Sequence, residues 1–352
     1  MLEMLTKPLV GPKLDWKRGR ITMSHGSGGR AMAQLIEQLF VKAFANPWLS
    51  AGNDQAIFEM PQGQHMVMTT DSYVISPLFF PGGNIGSLAV YGTINDLAMG
   101  GAQPLYLSAS FILEEGLALA DLKTIVYAMA DAAQACKVSI VTGDTKVVER
   151  GKGDGIFITT TGVGVIPEGR KLSGQYAQQG DKVLLSGTIG DHGIAVMSQR
   201  ESLQFSTTLC SDCAPLHGLV ATMLEAVPEV RCLRDPTRGG LATTLNEWAR
   251  QSEVGFFMDE SAIPVRTEVA SACEILGLDP LYVANEGKLL AICPAEKADA
   301  LLTVMQAHPL GTDAAIIGVV TEDERHMVQL RTKLGGFRNL DWLAGEQLPR
   351  IC

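Results

Sequence analysis

The 352-residue sequence has no uninterrupted apolar stretch near the roughly 18 residues that a membrane span requires. Its opening, MLEMLTKPLVGPKLDWKRGR, lacks an apolar signal core followed by a small-residue cleavage site, so a cytoplasmic protein without membrane association is expected. Lys and Arg are scattered rather than gathered into a stripe, and the net charge is −10; the electrostatic footprint of a nucleic-acid binder is therefore missing. No Walker-type phosphate loop (Gly, four residues, then Gly-Lys and Ser or Thr) occurs. Cys210 and Cys213 form a lone Cys-x-x-Cys with no second pair and no His pair at ligand spacing, which reads as two ordinary thiols near a helix start rather than a zinc site. The seven cysteines are odd in number, and Cys136, Cys232, Cys273 and Cys293 lie in apolar surroundings, as small buried hydrophobes do. A prenylation box is absent, because no residue follows Cys352.

What is present is enough apolar content, 46%, to bury a substantial core. Runs rich in β-branched residues at 65–71, 105–113, 138–144 and 156–166 predict strands, and the segments 87–101 and 119–135 between them predict helices. The polar, turn-rich stretch 167–182 marks a domain boundary. Beyond it the style repeats, with strands at 182–187, 288–293, 314–320 and 326–330 and helices near 214–226, 240–251, 268–277 and 295–307. The expectation is an α/β protein with an N-terminal extension at 1–20, one domain at 21–166, a second at 167–333, and a mobile tail at 334–352 that carries Cys352. Fully extended, such a tail spans roughly 50–60 Å.

Aspartates recur where strands end or turns begin: Asp54, Asp71, Asp96, Asp144 and Asp235. Singly, each is an ordinary turn former. As a set they are the hard oxygen donors that hold Mg²⁺ together with substrate phosphates. The stretch SHGSGGR at 24–30 precedes a helical segment, and successive small residues there let backbone N–H groups approach an anion; a flexible loop with a helix cap gives the same text. Lys146 and Glu286 are ionisable residues beside apolar strands, and two readings stay open for them, a pocket or a solvated turn. His25 and His192 sit in Gly-rich turns suited to facing phosphate.

Together HGSGG, TTDSYVI, GNIGSLAVYGTINDLAMGGAQP, IVTGDTKVV, GDHG, RDPTRGG, VANEGKL and the final PRIC resemble, in that order, the HypE family of carbamoyl dehydratases of nickel–iron hydrogenase maturation. The likeness runs from about residue 21 to 352. The Asp and Gly motifs are shared with a wider superfamily that includes aminoimidazole ribonucleotide synthetase, selenophosphate synthetase and thiamine-monophosphate kinase; Pro-Arg-Ile-Cys is the discriminating part. The departures are a longer N-terminal extension and Val283-Ala284 before NEGK.

The resemblance implies two α/β domains of the aminoimidazole ribonucleotide synthetase-like fold and a homodimer whose N-terminal strands close a shared barrel. It also implies that a HypF carbamoyltransferase loads a carbamoyl group on Cys352, that ATP drives its dehydration to a thiocyanate, and that the cyanide passes to iron on a HypC–HypD complex. By family position Cys352, Glu286 and Lys146 are catalytic, Glu286 as base and Lys146 orienting the carboxamide or stabilising charge on the phosphoryl group. Asp54, Asp71, Asp96 and Asp235 gather Mg²⁺. The loop His25, Gly26, Ser27, Gly28 and Gly29 covers the phosphates of ATP, and Asn95, Thr142, Gly143 and Asp144 lie near the nucleotide. Two rival readings remain: a superfamily enzyme using ATP on a free small substrate, and a non-catalytic scaffold that delivers metal through Cys352. Metal delivery gives no reason for the turn aspartates or the phosphate-type loop.

Overall fold

The structure, a computed structural model, describes residues 29–35, 37, 56–59, 65–200, 208–345 and 351. The N-terminal half contains α1 (Arg30–Leu35), β1 (Ala56–Glu59), β2 (His65–Tyr73), a short hairpin of β3 (Phe79–Phe80) and β4 (Gly83–Asn84), α2 (Ile85–Met99), β5 (Gln103–Glu114), α3 (Leu119–Ala135), β6 (Ser139–Val148) and β7 (Ile156–Ile166). The C-terminal half contains β8 (Lys182–Leu185), α4 (Asp191–Ser198), α5 (His217–Ala226), β9 (Cys232–Arg234), α6 (Gly240–Ser252), β10 (Gly255–Asp259), α7 (Thr267–Leu276), β11 (Leu290–Cys293), α8 (Ala298–Ala307), β12 (Ala315–Thr321), β13 (Val328–Arg331) and β14 (Phe337–Leu340). This is the expected pair of α/β units.

The first sheet is five-stranded in the order β1-β2-β7-β5-β6, antiparallel except for the β5–β6 pair. β7 alternates strictly between buried and half-buried residues, the period-2 pattern of a strand with one face on a core. Its buried face, Ile156, Ile158 and Thr160, meets α2. The opposite face is bare and partly apolar, with Met66, Met68, Tyr106 and Ile112 exposed.

α2 joins the two halves. Asn84 caps its start, accepting from the backbone N–H groups of Gly86 and Ser87, while Ser87 Oγ accepts from the Asn84 N–H, a reciprocal box that satisfies otherwise orphaned donors. The helix is buried nearly all round because β2, β5 and β7 cover one side and α3, α5 and β9 cover others. A helix apolar on every face is what such a central position requires.

The second sheet is seven-stranded in the order β14-β13-β10-β12-β8-β11-β9. α6 lays Leu241, Leu245 and Trp248 on it, each fully buried, and each such side chain contributes roughly 1.5–3 kcal/mol by leaving water. β14 corrects the expected tail boundary. Phe337–Leu340 pairs antiparallel with β13 through a turn in which the Thr332 N–H donates to the Gly336 carbonyl and Gly335 takes a positive φ of 84°. Leu340 is buried, so the chain leaves the sheet at 341 rather than at 334.

Candidate active site

The turn at 284–287 sits where the two halves meet. Asn285 braces it: its Oδ1 accepts from the Gly190 N–H at 2.7 Å, and its Nδ2 donates to the carbonyls of Pro236 (2.9 Å) and Val283 (3.0 Å). Asn95, on α2, donates from Nδ2 to the carbonyls of Glu286 and Ala214, both at 3.1 Å, and accepts from the Leu216 N–H at 2.7 Å. The Glu286 N–H donates to Asp212 Oδ1 at 3.1 Å. Gly287 lets the segment around Asp212 lie against the turn, since a Cβ there would run into the Asp212 carbonyl. The Glu286 backbone is thus clamped from both domains.

The Glu286 side chain is 3% exposed, and its Oε1 is buried with no hydrogen-bond partner. Burial above all, then the negative fields of Asp235, Asp212 and Asp71, hold its carboxyl well above the ordinary carboxylate range, while Arg238 opposes the rise. Those neighbours outline the site. Asp71 lies on the helix-facing side of β2, its Oδ1 3.8 Å from Arg238 Nη2 of the opposite domain. Two residues earlier on the same face, Thr69 donates to Asp96 Oδ2 at 2.9 Å. Tyr73, next on that face, is buried and feels Asp71, Asp96 and Glu286, which together with burial push its phenol upward. Asp235 is buried just past β9. A cleft lined by carboxylates from both domains, with a protonatable acid at its floor, suits acid–base chemistry beside a polyanion that brings its own cations.

Among the expected site residues, Asp71, Asp96, Asp235 and Glu286 come to this one cleft. Asn95 supports its floor as a buried bracket, with all its polar atoms turned to backbone groups. Thr142, Gly143, Asp144 and Lys146 stand elsewhere, on the exposed edge strand β6. Lys146 pairs with Asp144 at 3.3 Å with its side chain 71% exposed, and a Cβ at Gly143 would meet the Ala109 carbonyl of β5. Lys146 thus stands exposed on an edge strand, whereas Glu286 is buried in the turn between the halves. Gly29, at the end of the glycine-rich stretch, is buried against Leu343, while Arg30 donates from its backbone to the Leu343 carbonyl and from its side chain to Asp341. His25, Gly26, Ser27, Gly28, Asp54, Cys352 and the extension at 1–20 lie outside the described residues.

The reading of His192 as facing phosphate is overturned: it is fully buried, with Nδ1 2.8 Å from Ser211 Oγ and Nε2 2.5 Å from the Ile351 carbonyl. Arg238, Asn285, Asp212 and Ser211 were not singled out from sequence. RDPTRGG and SDC are visible as motifs, but nothing in their spacing says that they meet Glu286. The cysteines behave as expected, with Cys136, Cys232, Cys273 and Cys293 buried and the Cys136 thiol pushed up to about 12 by burial. Among the described residues no group of three or more His, Cys, Asp or Glu side chains is placed to hold a metal ion. Asp71, Asp96 and Asp235 have the hard-oxygen donor chemistry that Mg²⁺ takes. No helix among the described residues is long and apolar enough to cross a membrane.

Two α/β halves sharing an acidic cleft place the chain in the class of AIR synthase related proteins: the N-terminal domain of that class matches residues 52–166 and the C-terminal domain residues 178–331. Within the class, the carbamoyl dehydratase HypE of Cupriavidus necator is 68% identical over 339 residues, covering 96% of this chain and 97% of that protein. A crystal structure of a HypE–HypF complex superposes with a TM-score of 0.83 at 48% identity, over 88% of this chain and 99% of the other. HypE crystallised with ATP superposes at 0.79 and 50% identity, over 94% and 99%. The chain belongs to the HypE family of carbamoyl dehydratases.

Proposed function

We propose that this protein uses ATP to dehydrate a carboxamide carried on its own Cys352, leaving a thiocyanate whose cyanide supplies the iron of a nickel–iron hydrogenase. The observation that carries this reading is the placement of Ile351, the neighbour of that cysteine. It is buried in the N-terminal core beside the cleft and forms an antiparallel bridge with Ile75, two residues past the end of β2. Ile351 shares that core cluster with Ala284, two residues before Glu286 in the chain.

An amide oxygen leaves poorly. Transfer of the γ-phosphoryl group of ATP to that oxygen, releasing ADP, makes it a good leaving group; the nitrogen then gives up its two protons as the carbon–oxygen bond breaks and phosphate departs, which leaves the carbon–nitrogen triple bond. Glu286 is the acceptor of those protons. Its unpartnered Oε1 is the atom that takes the N–H proton; burial and the carboxylates of Asp235, Asp212 and Asp71 keep the resting group protonated against the opposing field of Arg238, so the role requires that negative charge to be offset when the nucleotide and its cations enter. Asn95, Asn285 and Asp212 hold its backbone still, which keeps the accepting oxygen at hydrogen-bond range of a seated substrate. Asp71, Asp96 and Asp235 would hold Mg²⁺ with the ATP phosphates, and the ion would screen the charge that develops there.

The bare face of the first sheet and the exposed apolar residues Val141 and Val147 on the edge strand β6 support a homodimer in which two such sheets meet. Lys146 stands on that edge, so its part in orienting the carboxamide depends on the edge meeting a cleft across the dimer. A HypF-type carbamoyltransferase is the expected donor, a HypC–HypD complex the expected acceptor, and the cytoplasm the expected compartment. Intact mass of the full chain tests the reading. Incubation with the carbamoyltransferase should add one carbamoyl group, ATP should then remove one water, and Cys352→Ser should show neither change. A carbamoyl group found on another residue would overturn it.

A further inference from the structure

His192 is the second residue of α4, whose N-cap Gly190 has a φ of 84°, and the imidazole is buried with Phe80 edge-on at 5.4 Å. Its two nitrogens face different groups. A carbonyl oxygen only accepts, so the contact from Nε2 to Ile351 assigns the proton to Nε2. Nδ1 then accepts from the Ser211 hydroxyl, whose oxygen in turn accepts from the Cys213 N–H at 3.0 Å. The chain of bonds is therefore directional, running from the 211–213 segment through the ring to the tail. Ser211 itself is fixed across the domain junction, its N–H donating to the Pro81 carbonyl at 2.8 Å. The residue after it, Asp212, accepts from the Glu286 N–H. One short segment thus touches both the tail's anchor and the backbone of the acid.

The Ile351 side chain is held separately, in the apolar cluster that includes Ile75, Val196 and Ala284, with Cys213 packed against it. A backbone hydrogen bond sets height and direction, and a buried branched side chain sets register, so the two together define one seat.

We propose that His192 is a positioning residue for the tail: its Nε2–H, oriented by Ser211, holds the Ile351 carbonyl and so fixes where Cys352 enters the cleft. The inference rests on the tail being the substrate carrier, but its central readout does not need the chemistry. Replacing His192 by Phe keeps a buried ring and removes both nitrogens. Replacing it by Gln returns an N–H donor near the position of Nε2. Ser211→Ala removes the donor to Nδ1, so that the Nδ1–H tautomer is no longer disfavoured and Nε2 can turn a lone pair toward the carbonyl.

Full-length protein is treated with N-ethylmaleimide, and labelling of Cys352 and of the exposed Cys210 is followed separately by peptide mass spectrometry. Loss of one buried hydrogen bond should raise the Cys352 rate about tenfold in His192→Phe and several-fold in Ser211→Ala. His192→Gln should stay within about twofold of the parent, and Cys210 should be unchanged throughout. Single-turnover dehydration at saturating ATP should fall in the same order, with ATP affinity unaltered. Equal Cys352 labelling in the parent and in both His192→Phe and Ser211→Ala would overturn the proposal, as would His192→Gln behaving like His192→Phe. Should His192→Phe fail to fold, Ser211→Ala decides alone. If the parent itself never dehydrates its tail, the proposed function fails while the labelling result still stands.

Discussion

Lys146 and Glu286 have similar surroundings in the sequence, each an ionisable residue beside an apolar strand, yet the fold treats them oppositely. The β6 edge leaves Lys146 in solvent beside Asp144, while the turn at 284–287 is gripped from both domains and Glu286 is buried with an unpartnered oxygen. The difference comes from what stands across from each. Among the described residues β6 is the last strand of its sheet, whereas Asn95, Asp212 and Asn285 close around the turn. One region is finished within the chain; the other presents an unpaired edge and a bare apolar face.

The largest expected effect on that contrast comes from Glu286→Gln. It should lower single-turnover dehydration by roughly 100-fold or more, as loss of a general base does, while carbamoylation and ATP affinity are kept. Next is Asn95→Ala, which strands buried backbone groups of both domains and should cost about 2–4 kcal/mol in a denaturant melt. Gly29→Ala pushes a methyl group into the Leu343 carbonyl and should destabilise by about 1–3 kcal/mol, weakening the contact between the glycine-rich stretch and the root of the tail.

Glu286→Gln should also change stability with pH in nucleotide-free protein. The native carboxyl keeps its proton above the unfolded value of 4.5, so the parent loses stability as pH rises from there toward the raised value. The neutral Gln variant escapes that loss. Its melting temperature should match the parent's at about pH 4 and exceed it at about pH 8, and the reverse order would mean that Glu286 is ionised in the resting cleft. The smallest effect belongs to Lys146→Ala, within about 0.5 kcal/mol of the parent in a melt of dilute protein, because an exposed pair contributes little.

The sequence made the long elements plain. β7 alternates over its whole length, and α3 carries apolar residues at helical spacing. Short elements escaped: β9 is three residues, α4 is eight and begins inside a Gly-rich turn, and β14, with Phe337, Arg338 and Asn339 exposed and only Leu340 buried, shows no alternation to betray it. Asp71, Asp96, Asp235 and Glu286 could be singled out in sequence by the family resemblance of their motifs, while the residue pattern alone left Glu286 open between a pocket and a solvated turn. Their supporting partners could not be singled out. Arg238 is far in the chain from Asp71, and Asn285 acts through backbone carbonyls that any residue could supply. His192 was misread because a Gly-rich turn looks open in sequence, while here it is packed beneath the tail.

The most direct test of the cleft as the seat of chemistry is the intact mass of carbamoylated Glu286→Gln protein before and after ATP. It should remain at the carbamoyl mass with ATP bound, while the parent loses one water. Loss of water from the variant at the parental rate would contradict the assignment and move the base away from the interdomain cleft.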